Sequence, residues 1–159
     1  MKLTLNKEYA QRHLFVTLLL AGLSCWFGYD GFVKYPATDA AALYREIEKA
    51  EPPARLDLEK FKAQKTQTQY GFTLLTLLAA LVVGTRLYRS YTFDFSFDDT
   101  GFSVKGRRYA LSDIASVDRR RWQAKGILVL SLADGRKVQL DAWHHVGVKD
   151  FAAKLPPAA

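Results

Sequence analysis

Cysteine is almost absent: Cys25 is the single one in 159 residues, which excludes an internal disulfide and a cysteine-built metal cluster. No glycine-rich phosphate loop, His-Glu-x-x-His pattern or nucleophile elbow occurs. Histidine is scarce, and the adjacent pair His144 and His145 has only Asp141 as a nearby acid. Neighbours in sequence rarely point at one metal, so the pair is expected as surface histidines at a strand end. Long runs of one charge are also missing. The net charge is +7, yet no run of like charges exceeds three residues. The basic stripe that nucleic-acid binding requires is therefore not there. These absences assign no catalytic residue, no cofactor and no metal ligand, and the chain is expected to be non-enzymatic.

Two long apolar stretches are present. Leu14 to Tyr29 is uncharged over 16 residues, and Thr66 to Thr85 over 20. A bilayer takes about 20 residues of helix, with about 17 as the lower limit. The second stretch meets that length, and the first does so if Asp30 lies at headgroup depth. The remaining residues are too few to wrap two helices that are apolar all round. Two transmembrane helices are expected, over 14–33 and 70–88. A signal peptide is the rival for the first, with "AGLSC" resembling a lipoprotein site. The bulky Trp26 and Phe27 that follow favour an uncleaved anchor.

Lys2, Lys7 and Arg12 precede the first stretch, and Arg86 and Arg89 follow the second. Basic residues flanking helices favour the cytoplasmic side. Residues 1–13 are expected as a cytoplasmic tail, 34–69 as an extracytoplasmic helical loop, and 90–159 as a cytoplasmic domain. In the loop, Thr38 is the expected cap of a short helix that places Ala42, Leu43, Ile47 and Ala50 on one face and stops at Pro52-Pro53. A second helix from about Ala54 is expected to run into the second membrane segment. At the outer boundary, "WFGYDGFVKYP" holds aromatics of the kind that settle at headgroups. Asp30-Gly31 is expected to loosen the helix there, and Pro36 to forbid its simple continuation. Trp26, Tyr29, Asp30, Phe32 and Tyr35 are the candidate contacts to a partner subunit; a plain membrane anchor is the alternative.

From Tyr91 the pattern changes period. Tyr91, Phe93, Phe95 and Phe97 alternate with Thr92, Asp94, Ser96 and Asp98, the mark of a half-buried strand. "DDTG" is expected as a tight turn with Gly101 left-handed, "FSVKGRRYAL" as one strand and "DIASVDRRRW" as the next. "GILVLSLADGRKVQLDAW" reads as a hairpin turning at Asp134-Gly135. "GVKDFAAKL" places Val148, Phe151 and Leu155 on one helical face before Pro156 and Pro157. About five antiparallel strands and a terminal helix are expected.

The run from "FSFDDTG" through "LSDIASV" and "KGILVLSLADG" to that helix resembles the bacterial pleckstrin-homology-like domains of small membrane proteins, over residues 91–155. Such domains have seven strands. Together with the two apolar stretches and their flanking basic residues, the resemblance gives the expected class, an α+β membrane protein: two transmembrane helices plus a small antiparallel β domain with a C-terminal helix, in the bacterial inner membrane with both termini cytoplasmic. It also implies a binding or scaffolding role, with lipid headgroups or a protein as ligand. The basic residues Lys105, Arg107, Arg108, Arg119, Arg120 and Arg121, with Trp122, are the candidate lipid-surface contacts, since each cation near an anionic surface contributes about 1 kcal/mol. Membrane lipids and other membrane subunits are the expected partners, and no nucleic acid. A structural accessory subunit of a larger complex is the alternative role.

Overall fold

The computed structural model describes residues 1–155. Pro156 and Pro157, the expected stop of the last helix, lie outside the described residues, as does the rest of the 90–159 segment beyond Leu155. The chain is an α+β fold of long helices and small antiparallel sheets, and it divides into two compact units. One comprises residues 14–85; the other joins residues 1–13 to residues 86 onward.

The chain begins with the short strand β1 (Thr4–Leu5) and the helix α1 (Lys7–Tyr29). At Asp30–Lys34 the helix widens into one π-turn, in which the Tyr35 N–H bonds back to the Asp30 carbonyl. The helix α2 (Tyr35–Ala37) follows directly. As expected, the helix does not simply continue into Pro36. The wide turn shifts the hydrogen-bond ladder and starts a new first turn, where a missing N–H costs little. Asp39, not Thr38, caps the helix α3 (Ala40–Glu48): its carboxylate accepts from the N–H groups of Ala41 and Ala42, each at 3.0 Å. Lys49, left-handed at φ 56°, ends α3 before the prolines, leaving Ala50 beyond it. The helix α4 (Leu58–Tyr91) then runs unbroken for 34 residues.

Within residues 14–85, α1 and α4 pack antiparallel along a seam of small residues. Ser24 is buried and donates to the Thr73 carbonyl at 3.1 Å. A Cβ on Gly31 would stand 3.0 Å from the Tyr70 ring, and one on Gly84 would meet Thr17 at 3.4 Å. Ala80 is buried as well. The large apolar side chains face away from the seam: Phe15, Leu18, Leu75 and Leu81 are 67%, 63%, 63% and 58% exposed.

The second unit holds the strands. β2 (Phe95–Phe97), β3 (Gly101–Val104) and β4 (Arg107–Ala110) form one antiparallel sheet. β5 (Ile114–Asp118), β6 (Ile127–Leu132) and β7 (Lys137–Asp141) form another, with the single-turn helix α5 (Trp122–Lys125) between β5 and β6. β8 (His145–Val146) pairs with β1, and α6 (Val148–Lys154) closes the unit. Its core is aromatic: Phe151 of α6 packs edge-on against Phe95, Phe97 and Phe102 at 5.0, 5.2 and 5.7 Å.

Several expectations change here. The single strand over "FSVKGRRYAL" is a hairpin, turning on Lys105 (φ 49°) and Gly106 (φ 78°), so there are more strands than five. Tyr91 ends α4 and is exposed, so the first strand starts at Phe95. Gly101 does not have a positive φ; it is required because a Cβ would lie 2.2 Å from the Tyr109 carbonyl oxygen. The segment after Asp118 leaves the sheet and coils into α5.

Residues 1–13 are not a free tail. Leu3 is buried in the core, its N–H donates to the Phe95 carbonyl at 3.0 Å, and the Phe97 N–H donates to the Met1 carbonyl at 2.7 Å. The hairpin at Asp134-Gly135 and the buried face of Val148, Phe151 and Leu155 follow the sequence expectation.

Candidate functional site

The basic residues singled out by sequence fall on two separate connections and are individually engaged. On the β3–β4 hairpin, Lys105 occupies the turn and is exposed. The Arg107 guanidinium lies over the Tyr109 ring at 5.4 Å and 3.8 Å from Asp134. Arg108 donates to both carboxylate oxygens of Asp98 at 2.7 Å, and this bond, with help from Thr100, holds the Asp98 carboxyl well below the usual carboxylate range. A shallow depression of about 220 Å³ beside Arg107 and Arg108 also contains Asp113 and Asp134, so its charges offset.

The β5–β6 connection differs. Arg119 turns inward and donates to the carbonyls of Ala152 and Leu155, at 3.2 and 3.4 Å. Arg120 clasps Asp118, whose pKa falls to about 2 through that bond. Trp122 packs against the hydrophobic core and is only partly exposed. Arg121 is exposed at the start of α5.

The aromatic segment is also divided. Trp26, Tyr29 and Phe32 are exposed, whereas Tyr35 is buried and its hydroxyl accepts from Gln69 at 3.2 Å. Asp30 finds a partner one turn back in its own helix: the Trp26 indole N–H donates to it at 3.1 Å.

A third site was not visible in the sequence. All three histidines of the chain meet in a cleft of about 540 Å³ in the unit formed by residues 1–13 and 86 onward. α1 supplies Tyr9 and His13, the end of α4 supplies Arg86, Arg89 and Ser90, and Asp141 at the end of β7, His144 on the β7–β8 connection and His145 at the start of β8 supply the rest. Tyr9, almost fully buried, stacks between His13 and His144 with ring centroids 4.0 and 4.2 Å away. The Ser90 hydroxyl lies 3.4 Å from the Tyr9 hydroxyl and 3.5 Å from Nδ1 of His144.

His145 is buried rather than on the surface, and its Nε2 donates to the Ser90 carbonyl at 2.9 Å. Its Nδ1 is buried with no hydrogen-bond partner among the described residues. Burial lowers the His144 pKa below its ordinary value; the Asp141 carboxylate opposes this, and His145, His13 and Arg86 add to it. Arg86 and Arg89 are exposed to the cleft and make no ion pair or hydrogen bond among the described residues.

Chemically, the cleft is a mixed cationic and aromatic pocket. Asp141 sits 3.6 Å from Nε2 of His144, giving a Ser90–His144–Asp141 order that matches a hydrolytic triad only in composition. Both separations exceed the 2.6–3.2 Å over which such groups pass a proton. Ser90 also lies in the last turn of α4, where carbonyls rather than N–H groups point outward, so no oxyanion hole forms there. No group of three or more metal-ligating side chains occurs among the described residues. The scattered origin of the cleft explains why sequence reasoning missed it. Its one signal is that three histidines and two arginines all lie next to boundaries of apolar segments or strands.

Fold and site thus define an α+β chain with two long apolar helices and a small strand-built unit containing a cationic cleft. The chain matches no protein-family model, no curated protein and no solved structure.

Proposed function

We propose that this is a non-enzymatic integral membrane protein whose strand-built unit is a binding module of pleckstrin-homology-like type, held at the cytoplasmic face by α1 and α4. The observation that carries the proposal is the polarity of the helix pair. A soluble helical hairpin buries its leucines, yet here the seam is glycine, serine and alanine while Phe15, Leu18, Leu75 and Leu81 face outward. In a bilayer, lipid satisfies the leucines, and close packing of small residues with inter-helix hydrogen bonds holds the pair together. Both helices are long and apolar enough to cross a membrane by length and composition.

Two three-stranded antiparallel sheets followed by α6 support the pleckstrin-homology-like reading, and the cationic cleft supports an anionic ligand.

Cysteines placed at the exposed positions Arg55 and Gln123 in a Cys25→Ala background test the arrangement. An impermeant thiol reagent on intact cells labels Arg55→Cys and spares Gln123→Cys. Labelling of Gln123→Cys alone inverts the orientation, and recovery of the chain from the soluble fraction removes the anchor.

The second reading, an accessory subunit of a larger membrane complex, is favoured by one observation. Trp26, Tyr29 and Phe32 stand exposed around a π-turn, a geometry frequent at functional sites.

A further inference from the structure

The seven basic and aromatic residues picked from sequence are largely committed to internal contacts, whereas two arginines outside that set are not. Arg86 and Arg89, three residues apart on α4, share one helix face with Cβ atoms about 5–6 Å apart. They face the cleft that gathers every histidine of the chain, and no carboxylate pairs with either guanidinium among the described residues. Tyr9 and Ser90 also line the cleft, both buried, with their hydroxyls 3.4 Å apart. Among the described residues the one acid lining it, Asp141, is committed to its own loop: it accepts from the Trp143 N–H at 2.8 Å and lies against His144. The cleft's unsatisfied chemistry is thus cationic and donor-rich, and its volume of about 540 Å³ lies within the 300–1,000 Å³ usual for small-ligand sites.

We infer that this cleft binds a phosphomonoester, carried by a lipid headgroup or by a soluble molecule; the inference rests on the binding-module reading above and gives it a site. Guanidinium groups bind phosphate oxygens through paired, charge-assisted hydrogen bonds. A monoester offers three terminal oxygens and a charge of about −1.5 to −2 near neutral pH, with a second pKa near 6. A diester offers two oxygens and a single charge. Two guanidinium groups without a carboxylate partner fit the former better, while His13 spends its Nδ1 on the Tyr9 carbonyl at 3.0 Å. Bound phosphate also returns a proton to His144, whose charged form is disfavoured in the empty cleft by burial and by the cations around it.

Because the chain has three histidines and all line the cleft, histidine-selective labelling makes the site visible by itself in an NMR spectrum of the whole protein. The detergent-solubilised full chain is titrated with glycerol 3-phosphate and with inorganic phosphate. It is also placed in nanodiscs of phosphatidylcholine doped with phosphatidic acid, or with phosphatidylglycerol as the diester control. Saturable shifts of the histidine resonances with the soluble phosphates show a soluble ligand is sufficient. Shifts with phosphatidic acid alone assign the site to a lipid. Arg86→Gln/Arg89→Gln raises the dissociation constant about tenfold or more, as expected from losing charge-assisted bonds, while the dispersion of the free spectrum stays unchanged.

Equal shifts with phosphatidic acid and phosphatidylglycerol, and none with soluble phosphates, reveal a general surface field and overturn the inference. Silence in every arm also overturns it. The broader reading then still stands if thiol labelling finds the chain in the membrane with the strand-built unit inside, so the two failures are separable.

Discussion

At the residue scale, the strongest constraints are steric and lie far from any charged patch. Gly101 approaches the β4 backbone so closely that Gly101→Ala drives a methyl into the Tyr109 carbonyl oxygen. The strand must move, and the variant is expected to lose about 1–3 kcal/mol, read as an earlier thermal unfolding of the full chain in detergent. Phe151 has the opposite problem, since its ring touches three other phenylalanines and is fully buried. Phe151→Ala is expected to cost about 3–5 kcal/mol in the same measurement.

His144 gives a pH signature. Its folded-state pKa lies below its unfolded value of about 6.5, so the unfolded chain binds more protons in the window below that value. Its contribution to stability is complete above about pH 6.5 and is lost as pH falls through the folded pKa. Burial sets the direction of that shift, Asp141 opposes it, and His145, His13 and Arg86 add to it. His144→Gln should flatten the loss of thermal stability between pH 7 and 5; an unchanged slope would place its origin in other groups. Sequence could mark His144-His145 as a pair but not its surroundings. Burial of His145 depends on β1 and on α4, both remote in the chain.

At the scale of elements, legibility followed how local the determining signal is. The Asp134-Gly135 turn and the Val148, Phe151 and Leu155 face are written within a few residues, and both appear as expected. The β3–β4 hairpin was hidden because Lys-Gly is a weaker turn signal than Asp-Gly or Asn-Gly. A phase break was nonetheless there: Phe102 and Tyr109 share a face as cross-strand partners, which a continuous strand forbids. The role of β1 was not legible at all, because its strand partner β8 lies at residues 145 and 146, at the far end of the chain. Thr4 pairs with Val146, and Leu3 joins a core otherwise built from residue 95 onward.

This makes the N-terminal strand a structural part of the strand-built unit. Leu3→Ala is expected to cost about 2–5 kcal/mol, as for other buried leucines. A variant lacking residues 2–5 should also lose hydrogen-exchange protection at His145 and Val146 while α4 keeps its own. Unchanged protection at β8 would show that β1 is a passenger. For the same reason, a fragment starting at residue 90 lacks Leu3 and Tyr9, two of the buried hydrophobic residues of that unit.

At the scale of the whole molecule, the two proposed roles make opposite demands on the exposed face of the α1 π-turn. Asp30 carries a negative charge beside apolar surface, and its ordered partner is the Trp26 indole. If the chain works alone, that pair lies at the headgroups, where water reaches both groups. Trp26→Ala with Asp30→Asn then leaves the protein's migration and abundance in native gels of membrane extracts unchanged.

If the chain is a subunit, Trp26, Tyr29 and Phe32 lie against a partner. A large exposed aromatic is the kind of side chain that dominates an interface, where truncation costs about 2 kcal/mol or more. A hydrogen bond to a charged group adds about 1.5–3 kcal/mol. Together these would lower affinity by several hundredfold or more, enough to release the variant from an assembly that holds the wild type. Tyr35 serves as the internal control. It is buried against Gln69, so Tyr35→Phe removes one hydrogen bond without touching the exposed face. Release by the Trp26 and Asp30 pair, with Tyr35→Phe still bound, would establish the subunit role. Wild-type protein migrating at the mass of the chain alone would end it and leave the binding module to act by itself.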